Sequence, residues 1–265
     1  MPPDARADTF ELMPEIPKIL HQTWRTADLP MPYAKWRAGW IANHPGWDHR
    51  FYDDAAIRSF ITGRASMWLP TFDALPSMIQ RVDFFRYLAV YLDGGMYADV
   101  DMISYRSCEP LLAGVACVLG IENHLSTRLQ HRLGYERPWQ LANFIFAATA
   151  GHPLLGVLLE DIARHATTPV MSDHHIQEIT GPRLLTRITY GLAADARGPI
   201  RLLPQINWNP PAAYPRIGAL GQRIHARHVC LGSWRKERHW WQRPTEGRLG
   251  HHIRPPNPFA GPLTI

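Results

Sequence analysis

The sequence predicts an α/β fold built on one sheet, and three observations predict it. Strand-like and helix-like segments alternate from residue 16 onward. The 265 residues, 46% of them hydrophobic, show no composition break near the middle that would force a split. A short apolar segment ends at GGMYADVD (94–101), where two glycines precede two aspartates. Alternation of this kind gathers ligands at the carboxyl ends of strands, where loops bring chemical groups together. One domain is expected.

In order, IPKILHQTW (16–24) reads as a strand, PYAKWRAGWIANHP (32–45) as a helix, WDHRFYD (47–53) as a strand and DDAAIRSFI (53–61) as a helix. Ser77 then caps a helix running to about Asp93, in which Val82, Phe85, Ala89 and Leu92 recur at three- and four-residue spacing before Gly94-Gly95 ends it. MYADVDMI is a short strand that stops at the aspartates. GVACVLGIE (114–122) and NFIFAAT (143–149) are strand-like, with helices at 153–165 and 181–192. The uncharged run from Leu141 to Leu159 approaches the length of a membrane span. Asn143, Thr149 and the breaker Gly151-His152-Pro153 divide it into a buried strand, a turn and a helix. From Pro199 the pattern weakens into proline-rich connections, with a strand around His225 to Leu231 and an irregular, basic, proline-rich tail after Trp241.

Three cysteines (Cys108, Cys117 and Cys230), without framework spacing or a CxxC, point away from a disulfide scaffold or zinc site and fit a reducing compartment. The net charge of +5 is carried by arginine, since only Lys18, Lys35 and Lys236 among the 28 basic residues are lysines. The planar guanidinium suits phosphate, so a phosphorylated ligand, an anionic membrane surface or nucleic acid would each match the charge.

Asp99 and Asp101 carry the sharper signal. Side chains two apart on a strand point to the same face, so the pair can converge on a hard divalent cation. Such a cation keeps open positions and usually also binds substrate phosphates, which makes DxD at a strand end a diphosphate grip. Gly94 and Gly95 would let the chain turn tightly and approach a ligand where a Cβ would collide. Taken alone, DVD could equally be an exposed turn, and Asp83 and Arg86, three apart on a helix, an exposed ion pair.

The surrounding motifs decide between these readings. RVDFFRYLAVYLDGGMYADVDMIS (81–104) resembles the glycosyltransferase sugar-binding region containing the DXD motif: Asp83, Arg86, Tyr87, Tyr91, Gly94, Gly95, Tyr97, Asp99 and Asp101 fit its pattern, with Val90 in place of the usual leucine. IPKILHQTWR (16–25), FYDD (51–54), ANFIFAATAGHP (142–153), TGPRLLT (180–186) and HVCLGSW (228–234) are similar, in order, to further motifs of glycosyltransferase family 32. The resemblance covers about residues 16–234. It implies a single-domain GT-A type fold, a Rossmann-like nucleotide-sugar-binding sheet flanked by helices. The expected organisation is a leader (1–14), the GT-A domain (15–241) and a proline-rich tail (242–265).

The resemblance also implies roles. Asp101 is the first choice for a ligand of Mn²⁺ or Mg²⁺, with His228 the third protein group, while Asp99 contacts the donor and reaches the cation through water. Asp83 and Arg86 recognise the donor sugar, with Tyr87 and Gly95 in the same segment. Trp24 stacks on the nucleobase beside polar contacts from His21, Gln22 or Thr23, although core packing would also explain this tryptophan. Asn143 orients the donor or acceptor, making Asp99, Asp101 and Asn143 the catalytic set, and Ser233 and Trp234 close over the diphosphate. His174-His175 and His251-His252 lack ligand spacing and are assigned to solvent.

The implied activity is metal-dependent, retaining transfer of a hexose from a UDP- or GDP-linked sugar to a glycan or lipid-linked acceptor. A diphosphate oxygen would take the acceptor proton, with no covalent nucleophile. The competing readings are a haloacid-dehalogenase-like phosphohydrolase, which wants an apolar strand before its first aspartate near the chain start, and a non-catalytic sugar-nucleotide-binding module. RKERHWWQR (235–243) reads as a solvated tail, so no nucleic-acid partner is expected, and peripheral membrane contact is the role left to it. The expected location is cytoplasmic, at most peripheral at the inner membrane face. The acceptor loops are expected in 122–140 and 166–179, the stretches that match least.

Overall fold

The computed structural model describes residues 15–211, 221–231 and 263–264. Strands β1 (Ile19–Thr23), β2 (Asp48–Tyr52), β3 (Gly95–Ala98), β4 (Met102–Ser104), β5 (Cys117–His124), β6 (Trp139–Ala148), β7 (Arg201–Leu203), β8 (Ala226–His228) and β9 (Leu263–Thr264) alternate with helices α1 (Tyr33–Asn43), α2 (Asp54–Arg64), α3 (Leu69–Ala74), α4 (Met78–Asp93), α5 (Glu109–Leu112), α6 (Thr127–Leu133), α7 (Pro153–His165), α8 (Asp173–Ile179), α9 (Pro182–Gly191), α10 (Ala194–Arg197) and α11 (Gln205–Trp208). The expected α/β class is observed. The main sheet has the order β2-β1-β3-β6-β5-β7-β9, and β4 pairs with β8 in a separate two-stranded ladder.

The sheet is mixed. β2, β1 and β3 run parallel, joined by helical crossovers, whereas β6 enters antiparallel between β3 and β5. An antiparallel neighbour brings the middle of β6 beside the last residue of β3, with Ala98 opposite Ile145. The hydrophobic core divides by sheet face. Tyr97, Leu119, Phe146 and the inner sides of α2, α4, α7 and α9 form one cluster. Leu20, Met96, Val118 and Phe144 pack with Trp40, Met102 and Trp208 in the other.

Three expectations need correction. Ser77 occupies the N-cap position of α4 but its hydroxyl donates to Gln80 Oε1 (2.8 Å) instead of accepting from the backbone. The three- and four-residue spacing in α4 suggests one apolar stripe, yet every residue from Asp83 to Val90 is buried. This helix sits between the sheet and α7, so both sides are covered. The tail is not irregular throughout, because Leu263 pairs with Leu202 and Thr264 with Arg201. The weakly patterned stretches also hold elements the periodicity misses: α6, α8 and α11 have four to seven residues each, too short to show a helical period.

Gly94 (φ +67°) and Gly95 (φ +99°) make the turn into β3. A Cβ on Gly95 would lie 2.6 Å from Ile19 O, and one on Gly94 would lie 2.8 Å from Pro17 Cδ. The space they keep clear is filled by the protein itself, by Pro17 and the Ala150 amide beside Gly94 and by Ile19 of β1 beside Gly95, not by a ligand. His21 locks the same turn: its Nε2–H donates to Gly94 O (3.0 Å), which leaves Nδ1 to accept from the Tyr52 hydroxyl (3.2 Å).

Burial holds His21 down to about 4, and His152, at the start of α7, also to about 4. A histidine lowered on folding contributes stability that is complete above its unfolded value of 6.5 and is lost as pH falls toward the folded value. Each should cost roughly 1 kcal/mol by pH 5.5. His152→Leu is therefore expected to reduce the loss of thermal stability between pH 7 and 5; an unchanged acid slope would refute this account.

Candidate functional site

The strand-to-turn geometry builds the site. β3 ends at Ala98, the Asp99 amide donates to Phe144 O (2.9 Å), and the Met102 amide closes back on Asp99 O (3.2 Å). This turn leads into β4, whose partner β8 places His228 opposite Met102. Asp99, Asp101 and His228 thus converge from two segments 127 residues apart, each offering a ligand atom within 4.8 Å of the others.

His228 Nε2 lies 3.0 Å from Asp101 Oδ1, and the Leu231 amide donates to Asp101 Oδ2 (3.2 Å). The imidazole packs on Phe144 with ring centroids 4.1 Å apart, while Cys230 Sγ sits 3.2 Å from Nδ1. Cys230 itself adopts a positive φ of 57°. Burial alone would lower the His228 value, but Asp101 and Cys230 overcome it and raise it to about 10. Burial likewise opposes the Asp101 charge, and the His228 contact reverses that to hold the carboxyl below its ordinary range. Burial, and then the charge of Asp101, push Asp99 upward against the pull of Arg86. His228 and Asp101 therefore favour each other's charged form as an ion pair. Two carboxylates and an imidazole are a suitable donor set for Mn²⁺ or Mg²⁺, so the residues fit the expected ion.

Behind this cluster lies a buried polar network. Arg86 Nη2 bridges Asp83 Oδ1 (3.2 Å) and Asp99 Oδ1 (3.3 Å), and its Nη1 donates to Asn143 O (2.8 Å). The guanidinium also stands over the Tyr97 ring, 4.7 Å from its centroid. Asp83 accepts from Asn143 Nδ2 (3.0 Å) and from the Thr180 hydroxyl (2.9 Å). Burial pushes the Asp83 carboxyl up to about 6 despite Arg86. Burial works against the Arg86 charge, but Asp99 leads the neighbours that keep it protonated. Asp83 and Arg86 are 4% and 3% exposed, which rules out the surface ion-pair reading.

The remaining candidates divide by location. Thr23 joins the cluster, its Oγ1 3.0 Å from the Tyr97 hydroxyl, which in turn donates to Asp99 Oδ1 (2.8 Å). Gln22 is buried on the other face of β1, and its Nε2 has no partner among the described residues. Trp24 is half-buried against Tyr33 (4.4 Å between ring centroids). His21 has both ring nitrogens engaged inside the protein, and Tyr87 is fully buried in the core, 5.5 Å from Phe146. Gly95 lines β1. Ser233 and Trp234, the RKERHWWQR segment and His251-His252 lie outside the described residues. His174 is not merely solvated, because Arg183 Nη2 lies 3.0 Å from its Nδ1. Sequence reasoning gave no role to Tyr97, Thr180 or Cys230, although all three stand inside quoted motifs.

Residues 33–117 match the family model described as "Glycosyltransferase sugar-binding region containing DXD motif". This segment, which contains the strand-end carboxylates and the helix behind them, is thus similar to the DXD sugar-binding region of glycosyltransferases. Among curated proteins, it is 28% identical over 212 residues to inositol phosphoceramide mannosyltransferase 2 of Schizosaccharomyces pombe, covering 79% of this chain and 53% of that protein. It is 25% identical over 271 residues to the initiation-specific alpha-1,6-mannosyltransferase of the same organism, covering 87% and 67%. The chain spans about half the length of the first of these relatives. The solved structure of PaToxG Glycosyltransferase aligns with 67% of this chain and 70% of its own at 16% identity and a TM-score of 0.45, an overlap too loose to argue from. Among the described residues no helix is long and apolar enough to cross a membrane.

Proposed function

We propose that this protein is a metal-dependent, retaining glycosyltransferase that moves a hexose from a UDP- or GDP-linked sugar to a glycan or lipid-linked acceptor. The observation that carries the reading is the convergence of Asp99, Asp101 and His228 in front of the buried Asp83–Arg86–Asn143 network, inside the region that matches the DXD model. The relatives named as mannosyltransferases make mannose the first hexose to test. The inositol phosphoceramide in one of those names makes a lipid-linked polyol the first acceptor.

A bound Mn²⁺ or Mg²⁺ would supply Lewis-acid neutralisation of the charge that develops on the departing diphosphate. Asp101 and His228 would hold it through a carboxylate oxygen and Nε2. Asp99, anchored through Oδ1 by Tyr97 and Arg86, keeps a quarter of its side chain exposed toward the donor. Gln22 has an unpaired buried amide at the end of β1, and Trp24 an aromatic face, both suited to a nucleobase. Asn143 positions Asp83 and, through its backbone carbonyl, Arg86. A diphosphate oxygen receives the acceptor proton, so none of these side chains needs to act as a covalent nucleophile.

The test is thermal stability of the protein against UDP- and GDP-sugars with Mn²⁺ or with EDTA. A ligand at about 100 times its Kd should add roughly 2.7 kcal/mol. Stabilisation by one donor that disappears in EDTA is expected; no stabilisation by any donor in folded protein would transfer the reading to a phosphohydrolase or a non-catalytic module.

Cys230 gives a further expectation. Of the three cysteines, Cys108 and Cys117 are buried and Cys230 is exposed. Groups that orient a ligating histidine typically govern about 10- to 100-fold of metal affinity. Alkylation with iodoacetamide is therefore expected to weaken Mn²⁺ binding about tenfold or more, while Cys230→Ser, which keeps a hydrogen-bonding atom beside Nδ1, binds Mn²⁺ nearly normally and resists the reagent. Equal inhibition of both proteins would refute the role.

A further inference from the structure

A cleft opens between the outer ends of β5 and β6 and helices α6, α8 and α9. It encloses about 270 Å³. Its polar lining includes Glu122, His124, Gln140, His174, Gln177 and Arg183; Leu125, Leu129 and Leu133 form an apolar wall. Gln140 Nε2 donates to Glu122 Oε2 (2.9 Å). Gln140 and Phe144 are four apart on β6, across a stretch where the pairing with β5 shifts register. Phe144 is the ring on which His228 packs. The cleft and the carboxylate cluster therefore both border the same strand, β6. Burial pushes the Glu122 carboxyl upward, and Gln140 and then the His228 charge draw it back, so the two places are electrostatically in touch.

The lining selects the ligand. A carboxylate held by an amide, with imidazole and amide groups around it, can exchange hydrogen bonds with several adjacent hydroxyls, while the leucine wall would take the C–H face of a ring. An anion is disfavoured, because Glu122 faces the cleft and Arg183 is already engaged, Nη1 with Glu178 Oε1 (3.0 Å) and Nη2 with His174 Nδ1 (3.0 Å). The volume holds about one ring.

We infer that this cleft is the acceptor subsite, that it takes a neutral polyhydroxylated ring, a pyranoside or cyclitol, and that Glu122 and Gln140 grip its hydroxyls. The inference rests on the transferase reading and extends it to a site that the DXD region does not include. It also specifies which part of a larger acceptor is read: the uncharged ring, with any phosphate or lipid held outside the cleft.

Saturation-transfer NMR on the full chain tests it, with methyl α-mannopyranoside and myo-inositol as neutral probes and mannose 6-phosphate as the anionic one. Binding of a neutral probe is expected, weakened about tenfold or more by Glu122→Ala, as loss of a hydrogen bond to a charged group implies. Leu129→Trp, which fills the cleft from the half-buried wall of α6, should abolish binding without removing a buried polar group. Preference for mannose 6-phosphate, or a neutral-probe signal equal in wild type and both variants, would overturn the inference. Donor binding with Mn²⁺ is measured on the same samples. If the donor binds and no neutral ring does, the cleft assignment alone falls. If the ring binds through Glu122 and no donor binds, the cleft stands as a saccharide site and its acceptor role falls with the transferase reading.

Discussion

Asp101→Ala should lower Mn²⁺ affinity at least about a hundredfold and abolish donor turnover. Residues that only orient a metal ligand typically account for 10- to 100-fold of affinity, so loss of a direct ligand should reach at least the upper end. Asp101 is also the group that fixes its neighbours, because it touches His228 Nε2 through one oxygen and the Leu231 amide through the other. Removing it frees the imidazole and takes away the first cause of that ring's raised value. Calorimetric titration with Mn²⁺ measures the first effect, and donor consumption the second. Asp101→Asn separates charge from shape: it keeps the hydrogen-bonding positions and should still lose most of the affinity. An Asp101→Ala protein that binds Mn²⁺ within a few-fold of wild type would show that the ion is held elsewhere.

Arg86→Met is expected to act on stability as strongly as Asp101→Ala acts on metal binding. Arg86 is the cation in a buried set that includes Asp83 and Asp99. Removing one partner of a buried ion pair typically costs about 3–5 kcal/mol, because the other is left uncompensated. At about 2–4 °C per kcal/mol for a chain of this size, the midpoint should fall by about 6 to 20 °C. The deficit should depend on pH in a definite direction. Asp83 already has a folded value of about 6, above its unfolded 3.8. A carboxyl raised on folding loses stability as pH rises from the unfolded value through the folded one. Without Arg86 the folded value climbs further, so the variant should be closer to wild type at pH 5 than at pH 8. Asp83→Asn added to Arg86→Met should recover part of the loss, since the two residues share one network. A midpoint change under about 2 °C, or a deficit that is flat with pH, would contradict this account of the network.

What the sequence determined by itself is local. The α/β class, most of the longer strands and helices, and the placement of Asp99 and Asp101 just past a strand end follow from periodicity and from Gly94-Gly95. All of these are encoded within a window of a few residues. The motifs around them also singled out Asp83, Arg86, Asn143 and His228 as candidates. Tertiary structure alone decided how these are assembled. No spacing says that β6 inserts antiparallel beside β3, yet this is what carries the Asn143 carbonyl to Arg86 and Phe144 to His228. Thr180 meets Asp83 across 97 residues, and His228 meets Asp101 across 127. Burial is likewise a property of the whole fold, and it turns an i,i+3 pair that would be trivial on a surface into the foundation of the site. The glycines show the same division. Their part in a tight turn was legible in the sequence, but what fills the space beside them, Ile19 of β1 at Gly95 and Pro17 with the Ala150 amide at Gly94, is brought there by tertiary packing.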